Sequence, residues 1–301
     1  MVNEFLTYLS VEKRYSKHTT VSYRNDLSNL SEYLLTSYEF STPEFATYPM
    51  LRSWIVTLVD QEMQPKTINR KIACLRSFYH FLQKKECITK DPTLKIRALK
   101  VKKSLPVFVE EDNMINLLDE IKDLLGNDIK FENSFEGLRD KLVLELLYGT
   151  GIRLSELIGL KTSDLNLYQK TIKVLGKGNK ERIIPIHDTF IALSKEYTNK
   201  KKSESFSNNN DFFVVTDTGE QTYPMFIYRL VKKYLDLITT VDKRSPHVLR
   251  HTFATHLLNK GADLNAIKDL LGHTSLAATQ VYTHNSIDKL KAIFDQAHPK
   301  S

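Results

Sequence analysis

The spacing of apolar positions divides this chain into two unlike parts. Through the first hundred residues they recur every three or four positions, which gathers them on one face of a helix. Residues 3–11 bring together Phe5, Leu6 and Leu9, and residues 18–35 bring together Val21, Leu27, Leu30 and Leu34. Residues 51–61 carry Trp54, Ile55 and Leu58; residues 67–82 carry a stripe of Ile68, Ile72, Leu75, Phe78, Tyr79 and Leu82. Hydroxyls at Ser16 and Thr19 suit a cap on the second helix, and Pro65 stands just before the fourth. Four helices of this length predict a small bundle.

Past residue 90 the period fails. Residues 91–106 read DPTLKIRALKVKKSLP, with two prolines and five basic residues, and predict a basic linker. Beyond it helices are expected at 110–125, 135–148 and 154–159. The period then drops to two at 171–175 and 182–186, two short strands around Gly176-Lys177-Gly178-Asn179-Lys180. A polar loop at 203–211, a strand at 212–215 and helices at 224–237, 247–260, 264–271 and 275–282 follow. A last amphipathic helix spans 286–297, with Ile287, Leu290, Ile293 and Phe294 on one side. The fold class is mainly α with a small β-sheet in the second of two domains: a helical domain at 1–90, the linker at 91–106, and a mixed domain at 107–301.

Composition changes this picture in one respect. With 41% apolar and 26% charged residues, a 301-residue chain can bury a sizeable core. No apolar run approaches a membrane span and the N-terminus carries no signal-like stretch, so a cytoplasmic protein without membrane insertion is expected. Two cysteines are too few for a disulfide framework; Cys74 falls in the apolar stripe and Cys87 near a loop. The net charge of +7 is the informative quantity. Residues 1–104 hold 17 Lys and Arg against 10 Asp and Glu, so this third carries the whole excess and the remainder is neutral at 26 against 26. That asymmetry points to a polyanionic partner, against the plainer reading of a solvated basic surface.

The candidate chemistry lies in the second part. His247, Arg250, His273 and Tyr282 follow one another as His-x-x-Arg…His…Tyr. Such a set provides donors for phosphate oxygens and a hydroxyl able to form a covalent bond, which is what attack on a phosphodiester without a metal requires. His247 and Arg250 share a helix face just after Pro246, where backbone N–H groups and the helix dipole favour an anion. Arg153 follows a Gly-Thr-Gly break, and its guanidinium fork fits a phosphate. Lys177 sits between two glycines at the hairpin tip, placed to give a proton to a leaving oxygen. Taken singly, each has an ordinary reading as a surface arginine, a turn lysine, a residue of a polar turn or one of 14 tyrosines. His251 and His256 are expected to serve packing. His247 and His251 have metal-ligand spacing, but HExxH is missing and no carboxylate or cysteine stands nearby, so no metal is expected. There is no P-loop pattern, and no cofactor or nucleotide is expected.

The segments GTGIRLSEL, LGKGNKERIIPI and SPHVLRHTFATHLLNKGADLNAIKDLLGHTSLAATQVYTH, in this order, resemble the signature segments of the tyrosine recombinases, the phage integrase-like family, and within them the bacterial XerC/XerD group. SVEKRYSKHTTVSYRNDL is similar to the start of that family's core-binding, SAM-like domain. The resemblance implies a two-domain, C-shaped DNA clamp with a catalytic core like that of type IB topoisomerases. It implies Arg153 and Arg250 as phosphate ligands, Lys177 as general acid for the 5′-oxygen, His247 and His273 assisting, and Tyr282 as the nucleophile of a 3′-phosphotyrosyl intermediate. Glu156 would support by hydrogen bonding. The implied partners are duplex DNA with an inverted-repeat recombination site, a homo- or hetero-tetramer that passes through a Holliday junction, and a cell-division DNA translocase as activator, all at the nucleoid. Helix 286–297 resembles a tail that docks on a neighbouring protomer; docking on its own domain stands equally open. Chromosome dimer resolution is the leading role. The alternatives are a mobile-element integrase, a type IB topoisomerase-like enzyme and a non-catalytic architectural protein.

Overall fold

Helices form where the apolar spacing places them in the first part: α1 (Val2–Val11), α2 (Lys17–Tyr38), α3 (Tyr48–Asp60) and α4 (Pro65–Lys84). The Ser16 hydroxyl accepts from the Thr19 N–H at 3.2 Å and caps α2, while Pro65 opens α4, where its missing N–H costs nothing. The computed structural model describes residues 1–101, 107–176, 181–204, 206 and 211–272. These belong to two compact units that meet in sequence between Ser104 and Leu105. The hairpin tip 177–180 and the predicted helices 275–282 and 286–297 lie outside the described residues.

The first unit packs α2 against α1, α3 and α4 around Phe5, Leu27, Leu30, Leu51, Leu75 and Phe78, all fully buried. Cys74 joins this core and Cys87 is exposed. Asp26, a buried carboxylate, is paired by Arg70 and by Lys71 at 3.0 Å. The start of the basic segment lies on this unit. Thr93 and Ile96 are buried, the Asn69 amide pairs with the N–H (2.7 Å) and carbonyl (2.9 Å) of Leu99, and Arg76 donates to the Ile96 carbonyl at 2.7 Å.

In the second unit, α6 (Phe135–Thr150) is buried nearly all round, as its lack of a polar face requires. It packs against α8 (Asp188–Ser203) and α10 (Pro246–Asn259). Around them stand α5 (Glu111–Leu118), α7 (Leu154–Gly159), α9 (Pro224–Ile238) and α11 (Leu264–Leu271). A three-stranded antiparallel sheet runs β1 (Leu165–Asn166), β2 (Thr171–Leu175), β3 (Glu181–Pro185), with Ile172 opposite Ile184 and Val174 opposite Arg182.

Two expectations are corrected and one helix is added. The helix expected at 110–125 stops at Leu118, because Glu120 takes a positive φ of 57° and the Asp123 carboxylate accepts from the N–H groups of Leu125 and Asn127 (both 2.8 Å). That side chain offers the backbone a turn in place of a further helical turn. The strand expected at 212–215 is reduced to isolated bridges, Lys161 with Phe212 and Val215 with Gln221, since the chain turns back at Thr216–Gly219. Helix α8, which the pattern does not predict, buries only Phe190, Ile191, Ser194 and Tyr197 before its lysine-rich last turn.

Candidate active site

The site forms where two helices end on left-handed glycines. Gly151 (φ 59°) terminates α6, and Gly272 (φ 63°) terminates α11. At both positions a Cβ is strained by the backbone angle and crowded. On Gly151 it would meet Phe253 at 2.6 Å and Leu271 at 2.7 Å; on Gly272 it would meet Arg182 at 3.1 Å. The reversal at Gly151 delivers Arg153 to the start of α7, and Gly272 ends α11 one residue before His273.

Arginines from three separate segments meet at these chain ends. Arg153 donates through Nη2 to the Gly272 carbonyl at 2.6 Å and through Nη1 to Glu156 at 2.7 Å. Arg250, on the second turn of α10, donates to the carbonyls of Gly151 and Leu271. Arg182, on β3, donates from Nε to the Leu270 carbonyl at 2.9 Å and from Nη1 and Nη2 to the two oxygens of Glu156 at 2.6 and 2.8 Å. The last carbonyls of α11, which have no partner within the helix, are thus satisfied by guanidinium donors at the negative end of its dipole.

Electrostatics follow from this crowding. Three guanidiniums gather around one carboxylate, which bonds Arg153 and Arg182 but not Arg250, so the cluster keeps an excess of two positive charges. Burial, and then the like charges of Arg153 and Arg182, push Arg250 down to about 10, with Glu156 acting in the opposite sense. It stays protonated at neutral pH, and an anion placed here would relieve the repulsion. Burial alone would raise Glu156; its bonds to Arg182 and then to the N–H and guanidinium of Arg153 outweigh that and hold it at about 2. Arg250 and Arg182 are buried, whereas the Arg153 side chain is one-third exposed, at 32%. His247 is exposed in the first turn of α10.

Of the six residues the sequence singles out, Arg153 and Arg250 are brought together, and His247 stands one turn ahead of Arg250. Lys177, His273 and Tyr282 lie outside the described residues. His256 serves packing as expected: it is buried between the Tyr148 hydroxyl, at 2.9 Å from Nδ1, and the Val109 backbone. Arg182 escaped the sequence reading. A signal for it exists, because strand alternation puts it on the same face as the buried Ile184, and a cation at a buried strand position needs a partner. Among the described residues no group of His, Cys, Asp and Glu is arranged to hold a metal, and no helix is long and apolar enough to cross a membrane.

Comparison with known proteins places this geometry. The Phage integrase family matches residues 108–288, and the Phage integrase, N-terminal SAM-like domain matches residues 2–86. The chain is 37% identical to tyrosine recombinase XerC of Chlorobaculum parvum, over 98% of this chain and 93% of that one. It is 36% identical to tyrosine recombinase XerD of Staphylococcus haemolyticus, over 100% and 99%. In fold it is similar to the XerH site-specific recombinase bound to a palindromic difH substrate in a post-cleavage complex, with a TM-score of 0.71, 20% identity and coverage of 97% and 83%. The Tn1549 transposon integrase in complex with circular intermediate DNA gives a TM-score of 0.67 at 22% identity, covering 96% and 98%. The chain belongs to the phage integrase family and is a tyrosine site-specific recombinase.

Proposed function

We propose that this recombinase cleaves and rejoins duplex DNA through a 3′-phosphotyrosyl intermediate formed on Tyr282. The observation that supports this most directly is the meeting of Arg153 and Arg250 at the end of α11, from segments 97 residues apart in sequence, immediately before His273. Both guanidiniums would turn donors onto the nonbridging oxygens of the scissile phosphate, where charge grows in the transition state. The Tyr282 oxygen attacks phosphorus and displaces the 5′-oxygen, which takes its proton from Lys177. His247 accepts the proton that the Tyr282 hydroxyl loses, and His273 donates to the phosphate. One phosphodiester is exchanged for another, so rejoining needs neither ATP nor a metal.

The first unit, with the whole net positive charge of the chain, and the basic segment 91–106 would grip the DNA backbone, while residues 107–301 carry the chemistry. The substrate is duplex DNA with an inverted-repeat site, recombined within a homo- or hetero-tetramer through a Holliday junction. The role is chromosome dimer resolution at the nucleoid, with a cell-division DNA translocase as activator. Full-length similarity to proteins named XerC and XerD supports this assignment. The test is a nicked duplex that traps the cleaved state. Wild type should form a covalent 3′ adduct and Tyr282→Phe should bind the duplex but form none; adduct formation by the variant at the wild-type rate overturns the reading.

A further inference from the structure

Arg182 has no part in the reaction described above, yet it is the most completely engaged of the three arginines. Its Nε, Nη1 and Nη2 all donate inward, to Leu270 and to both oxygens of Glu156, and the side chain is buried. A guanidinium so committed is not available to a substrate. Its other consequence is electrostatic. Glu156 also accepts from the backbone N–H of Arg153 at 2.8 Å and from Nη1 of Arg153 at 2.7 Å. One carboxylate is therefore shared by two cations.

We propose that Arg182 is a positioning residue for strand cleavage, which neutralises Glu156 so that this carboxylate aims Arg153 without consuming its charge. The inference rests on reading Arg153 as a ligand of the scissile phosphate. If Arg182 were absent, Glu156 and Arg153 would form a one-to-one ion pair. An incoming phosphate would then compete with a buried carboxylate for the same guanidinium. With Arg182 present, the fork-to-fork pair between Arg182 and Glu156 satisfies most of the carboxylate, and Arg153 keeps net positive charge for an anion. The position of Arg182 suits the task. It stands five residues after Lys177 on β3, opposite Val174, and its Nε bond to Leu270 ties that strand to the end of α11, where Arg153 holds Gly272.

A purely structural Arg182 would predict something different, and single-turnover cleavage of a nicked duplex by the full chain separates the two. The variants are Arg153→Ala, Arg182→Met, their combination, and Arg182→Met with Glu156→Gln. Melting temperature and DNA affinity are measured alongside. Arg182→Met should slow cleavage about 10–100-fold while DNA affinity changes by less than about threefold. In the Arg153→Ala background the same change should cost less than about threefold more, because the group through which Arg182 acts is already gone. Adding Glu156→Gln to Arg182→Met should restore at least about fivefold of the rate, since it removes the competing charge. Multiplicative defects of Arg153→Ala and Arg182→Met without rescue by Glu156→Gln would overturn the proposal, as would unimpaired cleavage by Arg182→Met. Should Arg153→Ala cleave at the wild-type rate, the reading of Arg153 fails and takes the proposal with it, which distinguishes that failure from the others. If Arg182→Met does not fold, Arg182→Gln carries the same comparison: rescue by Glu156→Gln supports the proposal and a loss that Glu156→Gln leaves untouched overturns it.

Discussion

The Arg153 guanidinium holds the carbonyl of Gly272 at 2.6 Å. A proposed phosphate ligand is thereby joined to the residue that precedes His273, and the position of one depends on the other. Gly272 sits at φ 63°, and a Cβ there would crowd Arg182 at 3.1 Å. Gly272→Ala should lower stability by about 1–2 kcal/mol for the left-handed backbone. Its cleavage rate should fall by more than this loss explains, because Arg182, 3.1 Å from the added Cβ, must give way and it shares Glu156 with Arg153. Thermal melting and single-turnover cleavage of the same preparation measure the two effects.

Gly151→Ala should be costlier to the fold. Its Cβ would lie 2.6 Å from Phe253 and 2.7 Å from Leu271, both in the core of the second unit. Overpacking added to a strained φ should cost about 2–4 kcal/mol in chemical denaturation.

Arg153→Ala and Arg250→Ala should each reduce cleavage about 10²–10³-fold, the effect of losing one transition-state donor. DNA affinity should change far less, because under the proposed reading backbone contacts elsewhere would hold the duplex. A gel-shift titration beside the cleavage assay decides this; an affinity loss as large as the rate loss would make them affinity residues. Arg250 is buried, so its variant should also melt lower than Arg153→Ala.

The fold should weaken on acidification in two stages. Burial lowers His256 below its ordinary value, so the unfolded chain takes up a proton that the folded chain refuses. Stability from this residue is complete above about pH 6.5 and declines as pH falls below it. Glu156 is held at about 2 in the fold, so its contribution is complete above about pH 4.3 and is lost as pH falls from there towards 2. Urea denaturation across about pH 3–8 should show both steps, each beginning near the ordinary value of its group. His256→Gln should reduce the upper step, to which His251, also lowered by burial, contributes as well, and Glu156→Gln should reduce the lower.

In the first unit, Asp26→Ala should cost about 3–5 kcal/mol, because it leaves Lys71 buried without its anion. Asp26→Asn should cost less, since its amide oxygen can still accept from Lys71. Denaturation followed by Trp54 fluorescence reads this unit directly: the chain has one tryptophan, and Lys71 lies 5.5 Å from its ring centroid.

Cleavage should proceed unchanged in EDTA and without nucleotide, as expected of an ester exchange driven by side chains alone. Loss of cleavage on chelation, restored by Mg²⁺ or Zn²⁺, would contradict the proposed mechanism.

The sequence by itself determined what depends on neighbours along the chain. Stripes at helical spacing, with Ser16 and Pro65 at their starts, define α1 to α4 because a helix places residues three and four apart on one face. The glycines at 151 and 272 mark helix ends for an equally local reason, the steric cost of a Cβ at positive φ. The ordered motifs around Arg153, Lys177 and the His-x-x-Arg pair were sufficient to suggest the chemistry. Tertiary structure decided what depends on partners distant in sequence. Helix α8 has a short buried face and a lysine-rich end, and packing on α6 accounts for a helix that its own pattern signals weakly. Among the described residues the apolar run at 212–215 has no continuous strand to pair with, so it makes only bridges. Arg182 reads as one more cation in a charged hairpin until Glu156, 26 residues earlier, and Leu270, 88 residues later, close around it. Strand alternation with Ile184 signals that Arg182 is buried, but the partners that pair its charge are properties of that enclosure and no local pattern of residues names them.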